Sequence, residues 1–326
     1  DKIHYSLYMR VFLSICAFLL ATTTYAQLSL TPTRIFASGI NLRAEVTPAA
    51  RMNDTARLGY SRFNVQGIIP LRGGAGVKLH NFRLRKIDVE VNQMFLAVNL
   101  GYRTPNFSFE KNDPGIYTVS AAITGIHASL RDKIWLYAAG LGVSEPEALL
   151  TYSKARPYGM GGAVRVRIAG LRTQWFYGGA IIFEPGRITP IPIGGINTRI
   201  AKGSRLTLVL PLLMSYSQKL APKVWGEVGM AAGGFNAGYL SPSFNPNAIR
   251  LAYRQGKASF TLNYSPIKPI QLSVEAGVTG VRSLKVMRAG DVLQKHTINT
   301  APFMAVSCYF SMSKSLLDSK GFGAVL

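Results

Sequence analysis

The chain has 326 residues, of which 48% are hydrophobic and 16% are charged, and it contains 32 glycines. This composition excludes disordered and coiled-coil proteins, and no apolar run after residue 30 approaches the ~20 residues of a membrane-spanning helix. The formal net charge is +22, but the arginines are spread singly along the sequence, which argues against a nucleic-acid partner and favours an anionic surface or solute.

The first 26 residues have the pattern of an export signal. Arg10 gives a positive start, residues 11–20 are apolar, and residues 24–26 end in the small residue Ala26. This pattern predicts a secretory signal peptide that is cleaved after Ala26, with Met9 as the true start and residues 1–8 as an upstream extension. Residues 1–26 are therefore assigned to a removed leader and residues 27–326 to one exported domain.

Segments with one apolar and one polar face follow each other along the exported part. In the clearest example, residues 205–212 place leucine at every second position, with Arg205 and Thr207 between the leucines. Successive side chains of a strand point to opposite faces, so this pattern predicts β-strands. We predict fourteen of them: residues 34–46, 57–70, 94–103, 116–130, 133–143, 160–170, 174–183, 196–201, 205–212, 223–235, 248–254, 257–264, 270–281 and 301–311.

The connections between these segments are of two lengths. The short ones are residues 131–132, 171–173, 202–204 and 265–268, and the long ones are residues 104–115, 145–158, 184–190 and 283–300. If residues 71–92 are mainly a connection, the two kinds fall on opposite ends, as periplasmic turns and external loops do. The pattern weakens at residues 236–247, which would be a long periplasmic connection.

These patterns predict a single closed antiparallel transmembrane β-barrel of about fourteen strands, within a range of 12 to 16. No cofactor and no metal site is predicted, because His80, His127 and His296 lack the spacing of metal ligands. Cys308 is the single cysteine after the leader, so the sequence predicts no internal disulfide.

Two short motifs rich in proline and glycine carry a family resemblance. They are FEPGRITPIPIGG at residues 183–195 and LVLP at residues 208–211. With these motifs the chain resembles the outer-membrane β-barrel proteins of Bacteroidota that carry a conserved domain of unknown function. The resemblance implies a signal peptide, a barrel and an outer-membrane location in a Gram-negative cell. That family has no established activity, so the resemblance implies no catalytic residue.

The strand arginines lie mostly opposite aliphatic faces. An arginine that faces lipid at mid-membrane costs about 2–4 kcal/mol, so eight of them would exceed the ~5–15 kcal/mol stability of an ordinary domain. We therefore predict that they point into the lumen with the few strand glutamates. The predicted lumen-lining residues are Arg43, Arg103, Arg165, Arg167, Arg199, Arg205, Arg250, Arg254, Glu45, Glu227 and Glu275. Two interpretations stay open: a hydrated network that stiffens the wall, and an anion-selective pore or binding cavity.

His127 and Ser129 share one face of a predicted strand. Some outer-membrane lipid hydrolases use such a pair, with the histidine as base for the serine nucleophile. Those enzymes also need an orienting polar residue, commonly an asparagine after the serine, whereas Leu130 follows here. The pair also falls near a predicted periplasmic turn. A polar girdle is therefore favoured, and no catalytic residue is predicted.

The sequence thus predicts an outer-membrane barrel that is not an enzyme and that passes or binds a small anionic solute. The predicted partners are outer-membrane lipid, lipopolysaccharide and that solute, and no nucleic acid. Two alternatives stay open. One is a closed structural barrel that docks a partner through its external loops, and the other is a lipid hydrolase that uses His127 and Ser129.

Overall fold

The computed structural model describes residues 38–54, 56–79, 87–108, 115–129, 133–146, 156–169, 172–184, 187–239, 249–288 and 291–312. The predicted leader, residues 1–26, and His80 lie outside the described residues. Within those ranges, no helix has the length and the hydropathy to cross a membrane.

The described residues form fifteen β-strands. The first eight are β1 (Gly39–Arg51), β2 (Arg57–Leu79), β3 (Ile87–Phe107), β4 (Ile116–Ser129), β5 (Lys133–Pro146), β6 (Arg156–Ile168), β7 (Thr173–Glu184) and β8 (Arg187–Ala201). The other seven are β9 (Ser204–Leu210), β10 (Leu213–Ala221), β11 (Val224–Tyr239), β12 (Ile249–Tyr264), β13 (Ile270–Arg288), β14 (Asp291–Ile298) and β15 (Ala301–Ser311).

The strands close into a barrel. Each strand from β1 to β13 pairs antiparallel with the next, β1 also pairs with β15, and β15 pairs with β13. One edge of β13 pairs with β12, while the other edge pairs with β14 and then with β15, so β14 and β15 share one position in the wall. The structure is therefore a closed antiparallel barrel with fourteen strand positions, which confirms the predicted fold class.

The two ends of the barrel differ in their connections. We call the end with residues 130–132, 202–203 and 222–223 the turn end, and the end with residues 108–115, 147–155 and 240–248 the loop end. A strand that the sequence analysis missed, β10, corrects the irregularity at residues 236–247, because the extra strand moves this connection to the loop end. The sequence did not indicate β10, because the turn before it, Pro211-Leu212, has none of the glycine or asparagine that mark hairpins.

Other predicted boundaries are also wrong, although the count of fourteen is right. The predicted strands 248–254 and 257–264 are one strand, β12. The predicted connection 71–92 consists largely of the ends of β2 and β3, whose ladder continues towards the turn end, and β14 lies within the predicted connection 283–300. The predicted connection 184–190 shortens to residues 185–186. Glycine and proline favoured a loop in these stretches, and pairing with a neighbouring strand overrides that preference.

The outer surface of the barrel is apolar between the two ends. Directly paired residues share a face, and Leu100 of β3 is paired with Val65 of β2 and Val119 of β4. Side chains on this outward face are exposed, with Leu141 at 75%, whereas Glu45 on the inward face is 2% exposed. An apolar surface that continues around the whole barrel does not suit water and fits the hydrocarbon of a bilayer.

Aromatic side chains mark both edges of this apolar belt. Trp135 and Trp175 are exposed near the turn end, and Tyr117 and Phe183 are exposed near the loop end. Trp175 and Phe183 are eight residues apart on β7. That separation is about 26 Å along a strand, on the scale of the ~25 Å apolar band of outer-membrane barrels. The two rows therefore match the aromatic girdles of the membrane interfaces.

At the loop end, β11 and β12 leave the wall and fold into the lumen. Cα atoms of β11 come within 8 Å of Cα atoms of β5 and β4, which lie across the barrel. Phe235 and Tyr253 stack on Tyr60 of β2, with ring centroids 5.8 and 5.6 Å away. We call residues 234–239 and 249–254 the plug hairpin. Together with Phe107 and Ile116, it fills the loop end with a buried apolar core.

Two backbone features shape this region. Gly234, where β11 turns inward, has a φ of +153°, and a Cβ there would lie 2.1 Å from the carbonyl oxygen of Tyr253. Only glycine suits that position. On β13 a bulge places Val281 and Arg282 opposite one residue of β12, and Val281 has a φ of +48°. A β-branched residue in that conformation costs about 1–3 kcal/mol, and the bulge turns Arg282 into the buried core.

Candidate functional site

The lumen is layered from one end of the barrel to the other. The inward face of β2 shows the order: Leu58 and Tyr60 belong to the apolar core at the loop end, and Arg62 follows. Asn64 and Gln66 come next, and Ile68 then belongs to a second buried apolar cluster, formed with residues of β3 and β4. On this side of the barrel, a charged and polar layer therefore lies between two apolar clusters.

The charged side chains of this layer come from β1, β2, β3, β12 and β13. We call them the lumen cluster: Arg43, Glu45, Arg62, Arg103, Lys257 and Glu275. Each lies on the inward face because its strand neighbours on either side point outward, as Leu42 and Val46 do around the β1 pair.

Glu45 is the centre of the cluster. Its carboxylate accepts a hydrogen bond from Nη2 of Arg43 at 3.2 Å and another from Nζ of Lys257. Arg43 also donates to Glu275 at 2.7 Å, which links β1 to β13. Nζ of Lys257 lies 4.8 Å from the ring centroid of Phe303. Burial of charges costs free energy unless they are paired, so these contacts allow the cluster to exist inside the barrel.

Two arginines of the cluster face each other. Glu45, Arg62 and Arg103 are direct partners in one row across β1, β2 and β3. Arg103 is 1% exposed, and its Cζ lies 5.8 Å from the ring centroid of Phe235 in the plug hairpin. Like charges directly opposite on paired strands repel each other. The pair is therefore a place where a bound anion would lower the energy.

The polar layer beside these arginines has hydrogen-bonding capacity to spare. Nδ2 of Asn99, Oγ1 of Thr118 and Oγ of Ser144 are buried and have no hydrogen-bond partner among the described residues. They lie on the inward faces of β3, β4 and β5, and Thr118 is the direct partner of Gly101, two residues from Arg103. Buried polar groups are normally satisfied by protein, water or ligand. This layer is thus suited to a hydrated chamber or a polar solute.

The plug hairpin is fixed to the wall by two arginines. Arg282 of β13 donates from Nε to the hydroxyl of Tyr253 at 2.8 Å and from Nη2 to the carbonyl of Leu58 at 3.2 Å. Arg250 of the hairpin forms an ion pair with Glu184 of β7 at 2.5 Å. These bonds hold the loop end closed.

The structure brings four of the predicted lumen residues together. Arg43, Arg103, Glu45 and Glu275 all belong to the lumen cluster. Three other predicted residues also face inward but lie on strands that contribute no residue to the lumen cluster. They are Arg199 of β8, Arg205 of β9 and Glu227 of β11.

The predicted lumen position of Arg165 and Arg167 is wrong. Both lie on the outward face of β6, where Arg165 is the direct partner of Trp135 and Tyr177, and Arg167 is the partner of Trp175. Cζ of Arg165 lies 5.5 Å from the ring centroid of Tyr177. An outward arginine costs about 2–4 kcal/mol only at mid-membrane depth, and these residues lie in the aromatic girdle near the turn end, where an arginine can reach the lipid headgroups.

The predicted face is also wrong for Arg250 and Arg254. On β12 they share the face of Phe260 and Leu262, which is the lipid-facing one nearer the turn end. Arg250 still lies inside the barrel, because the plug hairpin folds inward and brings it to Glu184. The alternation of polar and apolar residues along β12 does not show that the strand leaves the barrel wall.

Three inward-facing cations were not predicted from the sequence, namely Arg62, Lys257 and Arg282. A signal was present for Lys257, which alternates with Ser259 and Thr261 opposite Ala258 and Phe260. Arg62 had a weaker signal, because Phe63 and Val65 alternate with it and Asn64. Arg282 had none, since the bulge on β13 reverses its face.

His127 and Ser129 lie on the outward face of β4, beside the turn end. Asn92, the direct partner of His127 on β3, has its Oδ1 2.6 Å from Nδ1 of His127. Glu90 is the direct partner of Ser129. Among the described residues no group of three His, Cys, Asp or Glu side chains could hold a metal ion.

No family model matches the chain, and no curated protein matches it. The resemblance to the Bacteroidota family therefore stays a prediction. An outer membrane channel from Pseudomonas putida F1 is similar in structure, with 9% identity and a TM-score of 0.37 over 87% of this chain and 100% of that one.

Two further solved structures are similar. The β domain of the Bordetella autotransporter Brka has 8% identity and a TM-score of 0.32, over 85% of this chain and 100% of that one. The toluene transporter TodX of P. putida has 6% identity and a TM-score of 0.28, over 87% and 92%. Likenesses this distant do not indicate a function.

Proposed function

We propose that this protein is an outer-membrane β-barrel that binds a small anionic solute in its lumen and passes it across the membrane. The apolar belt, the aromatic girdles and the closed wall support the membrane location, and the predicted leader supports export. The partners proposed for the outer surface are membrane lipid and lipopolysaccharide, with Arg165 and Arg167 placed to meet lipid phosphates at the turn end.

The observation that carries the anion is the charge of the lumen cluster. Four cations, Arg43, Arg62, Arg103 and Lys257, surround two carboxylates, so the cluster has an excess of two positive charges. Within the cluster, Arg62 and Arg103 lie directly opposite each other on β2 and β3. Fixed positive charge in a partly desolvated chamber attracts anions and repels cations.

The closed loop end favours a gated binding barrel over an open diffusion pore. The plug hairpin fills the lumen on the side that the long connections predict to be external. A solute in the polar layer must therefore wait for the hairpin to move. The alternative from the sequence, a closed structural barrel, differs from this proposal in showing no solute passage.

Conductance in planar lipid bilayers tests the proposal. Under a potassium chloride gradient, the reversal potential should have the sign of chloride selectivity, and Arg62→Gln should move it towards zero. Arg165→Gln is the matched control, because it removes the same charge from the outer face and should leave the reversal potential unchanged. Absence of any current, both in the unmutated protein and in Phe235→Ala with its loosened plug hairpin, would favour the closed structural barrel, and cation selectivity would refute the anion assignment.

One observation favours a second candidate function, hydrolysis of a membrane lipid. The contact between Asn92 and His127 would orient the imidazole as a base for Ser129, as a hydrolase needs. Against it, the Glu90 carboxylate beside Ser129 would oppose the negative charge that develops during ester attack. We therefore rank this function second.

A further inference from the structure

A second group of inward-facing cations lies at the turn end of the barrel, on β8, β9 and β10. We call Arg199, Arg205 and Lys219 the turn-end cluster. The faces are clear on β10, where the inward Ser215 is 4% exposed and its two neighbours in the chain are exposed on the outer surface. Ser217 shares the face of Ser215 and is the direct partner of Arg205. Lys219 follows on that face, two residues nearer the turn end.

An irregularity in the wall brings the two arginines together. The register between β8 and β9 shifts between residues 198 and 201, so that two residues of β8, one of them Arg199, lie opposite Arg205. Arg199 shares the inward face of Asn197, whose direct partner Thr207 is buried. Like charges opposite each other on paired strands repel each other. An anion between the two guanidinium groups would therefore lower the energy of this end of the lumen.

The turn-end cluster is accessible and is not neutralised by carboxylates. Arg199 and Lys219 are exposed, and Arg205 is half-buried. Within the part of the chain that the structure describes, none of the three side chains forms a hydrogen bond or an ion pair. In the lumen cluster, by contrast, Arg43 and Lys257 are both bonded to carboxylates. The turn-end cluster thus offers three positive charges that an incoming anion can reach.

A row of directly paired inward residues separates the two clusters. In order from β9 to β13 the row consists of Arg205, Ser217, Glu227, Thr261 and Glu275. Glu275 accepts a hydrogen bond from Arg43 of the lumen cluster. Because two carboxylates lie in this row, an anion meets two separate cationic sites and not one continuous surface. Conduction requires that an ion can also leave its site, and several sites in succession make this possible.

We propose that the turn-end cluster is a second anion-binding site, separate from the lumen cluster, at the end that the short connections predict to be periplasmic. Arg199 and Arg205 hold the anion from two neighbouring strands, and Lys219 adds a third charge diagonally across from Arg205. The inference rests on the proposed function for the class of solute, a small anion. It does not rest on passage of the solute through the plug hairpin, so the two can be tested apart.

Quenching of Trp225 fluorescence tests the site in phosphatidylcholine nanodiscs. Trp225 is the direct partner of Lys219, and the other two tryptophans of the chain, Trp135 and Trp175, are exposed on the outer surface. Replacing those two with phenylalanine leaves Trp225 as the reporter. Iodide is the anionic quencher, caesium the cationic one and acrylamide the neutral one. Iodide should quench more strongly than caesium, and inorganic phosphate should reduce iodide quenching by competition.

Removing the two arginines gives the decisive variant. Arg199→Gln with Arg205→Gln should lower the iodide quenching constant about threefold at about 0.1 M salt, as expected for two charges about 7 Å from the quencher in screened water. Acrylamide quenching should not change, because the barrel and the access to Trp225 are kept. Arg165→Gln with Arg167→Gln is the matched control, since it removes two charges at the same end of the barrel but from the outer face.

Arg62→Gln separates this site from the lumen cluster, because it should leave iodide quenching of Trp225 unchanged. If it lowers the quenching as much as the loss of Arg199 and Arg205 does, the two clusters are not separate sites and the inference is wrong. Equal effects of the turn-end variant and its control would also overturn the inference, as would equal quenching by iodide and caesium. A barrel without anion-selective current that still shows the turn-end effect would refute the proposed function and leave the second site in place.

Discussion

Replacing Glu45 with glutamine tests the electrostatic balance of the lumen. The carboxylate is 2% exposed and bonds to Arg43 and Lys257, so Glu45→Gln leaves Lys257 buried without its carboxylate, while Arg43 keeps Glu275. Breaking a buried ion pair costs about 3–5 kcal/mol. Since an ordinary domain has ~5–15 kcal/mol of stability, the loss should be a large part of the free energy of unfolding.

The assay is equilibrium urea unfolding in lipid vesicles, followed by tryptophan fluorescence. Asp54→Asn is the control. Arg51 and Asp54 form an ion pair of 2.7 Å whose side chains are 61% and 96% exposed, whereas Glu45 is buried. An exposed pair is worth about 0–1 kcal/mol. Adding Lys257→Met to Glu45→Gln should recover part of the loss, since no buried ammonium is then left unpaired. If Glu45→Gln costs no more than Asp54→Asn, the reasoning about the lumen cluster is wrong.

Three further variants test the outward faces of β4 and β6 and the packing of the plug hairpin. Arg165→Glu combined with Arg167→Glu should leave ion selectivity in planar bilayers unchanged, because both side chains point outward; a shift towards cations would contradict this assignment. Ser129→Ala should leave fatty-acid release from phospholipid vesicles at the level of the unmutated protein, and a loss of release would instead establish the hydrolase. Phe235→Ala should remove ring packing from the plug hairpin, cost about 3–5 kcal/mol in urea unfolding and raise the bilayer current; a stable variant with unchanged current would show that the hairpin does not close the lumen.

The fold was predictable from the sequence because barrel strands repeat one local pattern. Leucine at every second position in residues 205–212 shows the apolar face directly. Strand boundaries were less predictable, since they depend on which residues of the neighbouring strand are available for pairing. The turn at Pro211-Leu212 lacks the usual turn residues, and its hydrogen bond forms only when β9 and β10 meet.

The site was predictable in part, and for a physical reason. Because alternate residues of a strand share a face, the sequence grouped Arg43 and Glu45 correctly. The alternation of residues does not show how deep in the membrane a residue lies, and for this reason Arg165 was predicted to lie in the lumen. It also cannot show the plug hairpin, because contact between Phe235 and Tyr60 joins residues distant in the sequence.

We propose that the polar layer of the lumen binds an anion between Arg62 and Arg103. Anomalous diffraction from crystals grown in sodium bromide tests this most directly, because bromide identifies itself by its scattering. We predict a bromide peak between the two guanidinium groups, which are direct partners on β2 and β3, and its loss in Arg62→Gln. Bromide found at outward arginines, with none in the lumen, would contradict the claim.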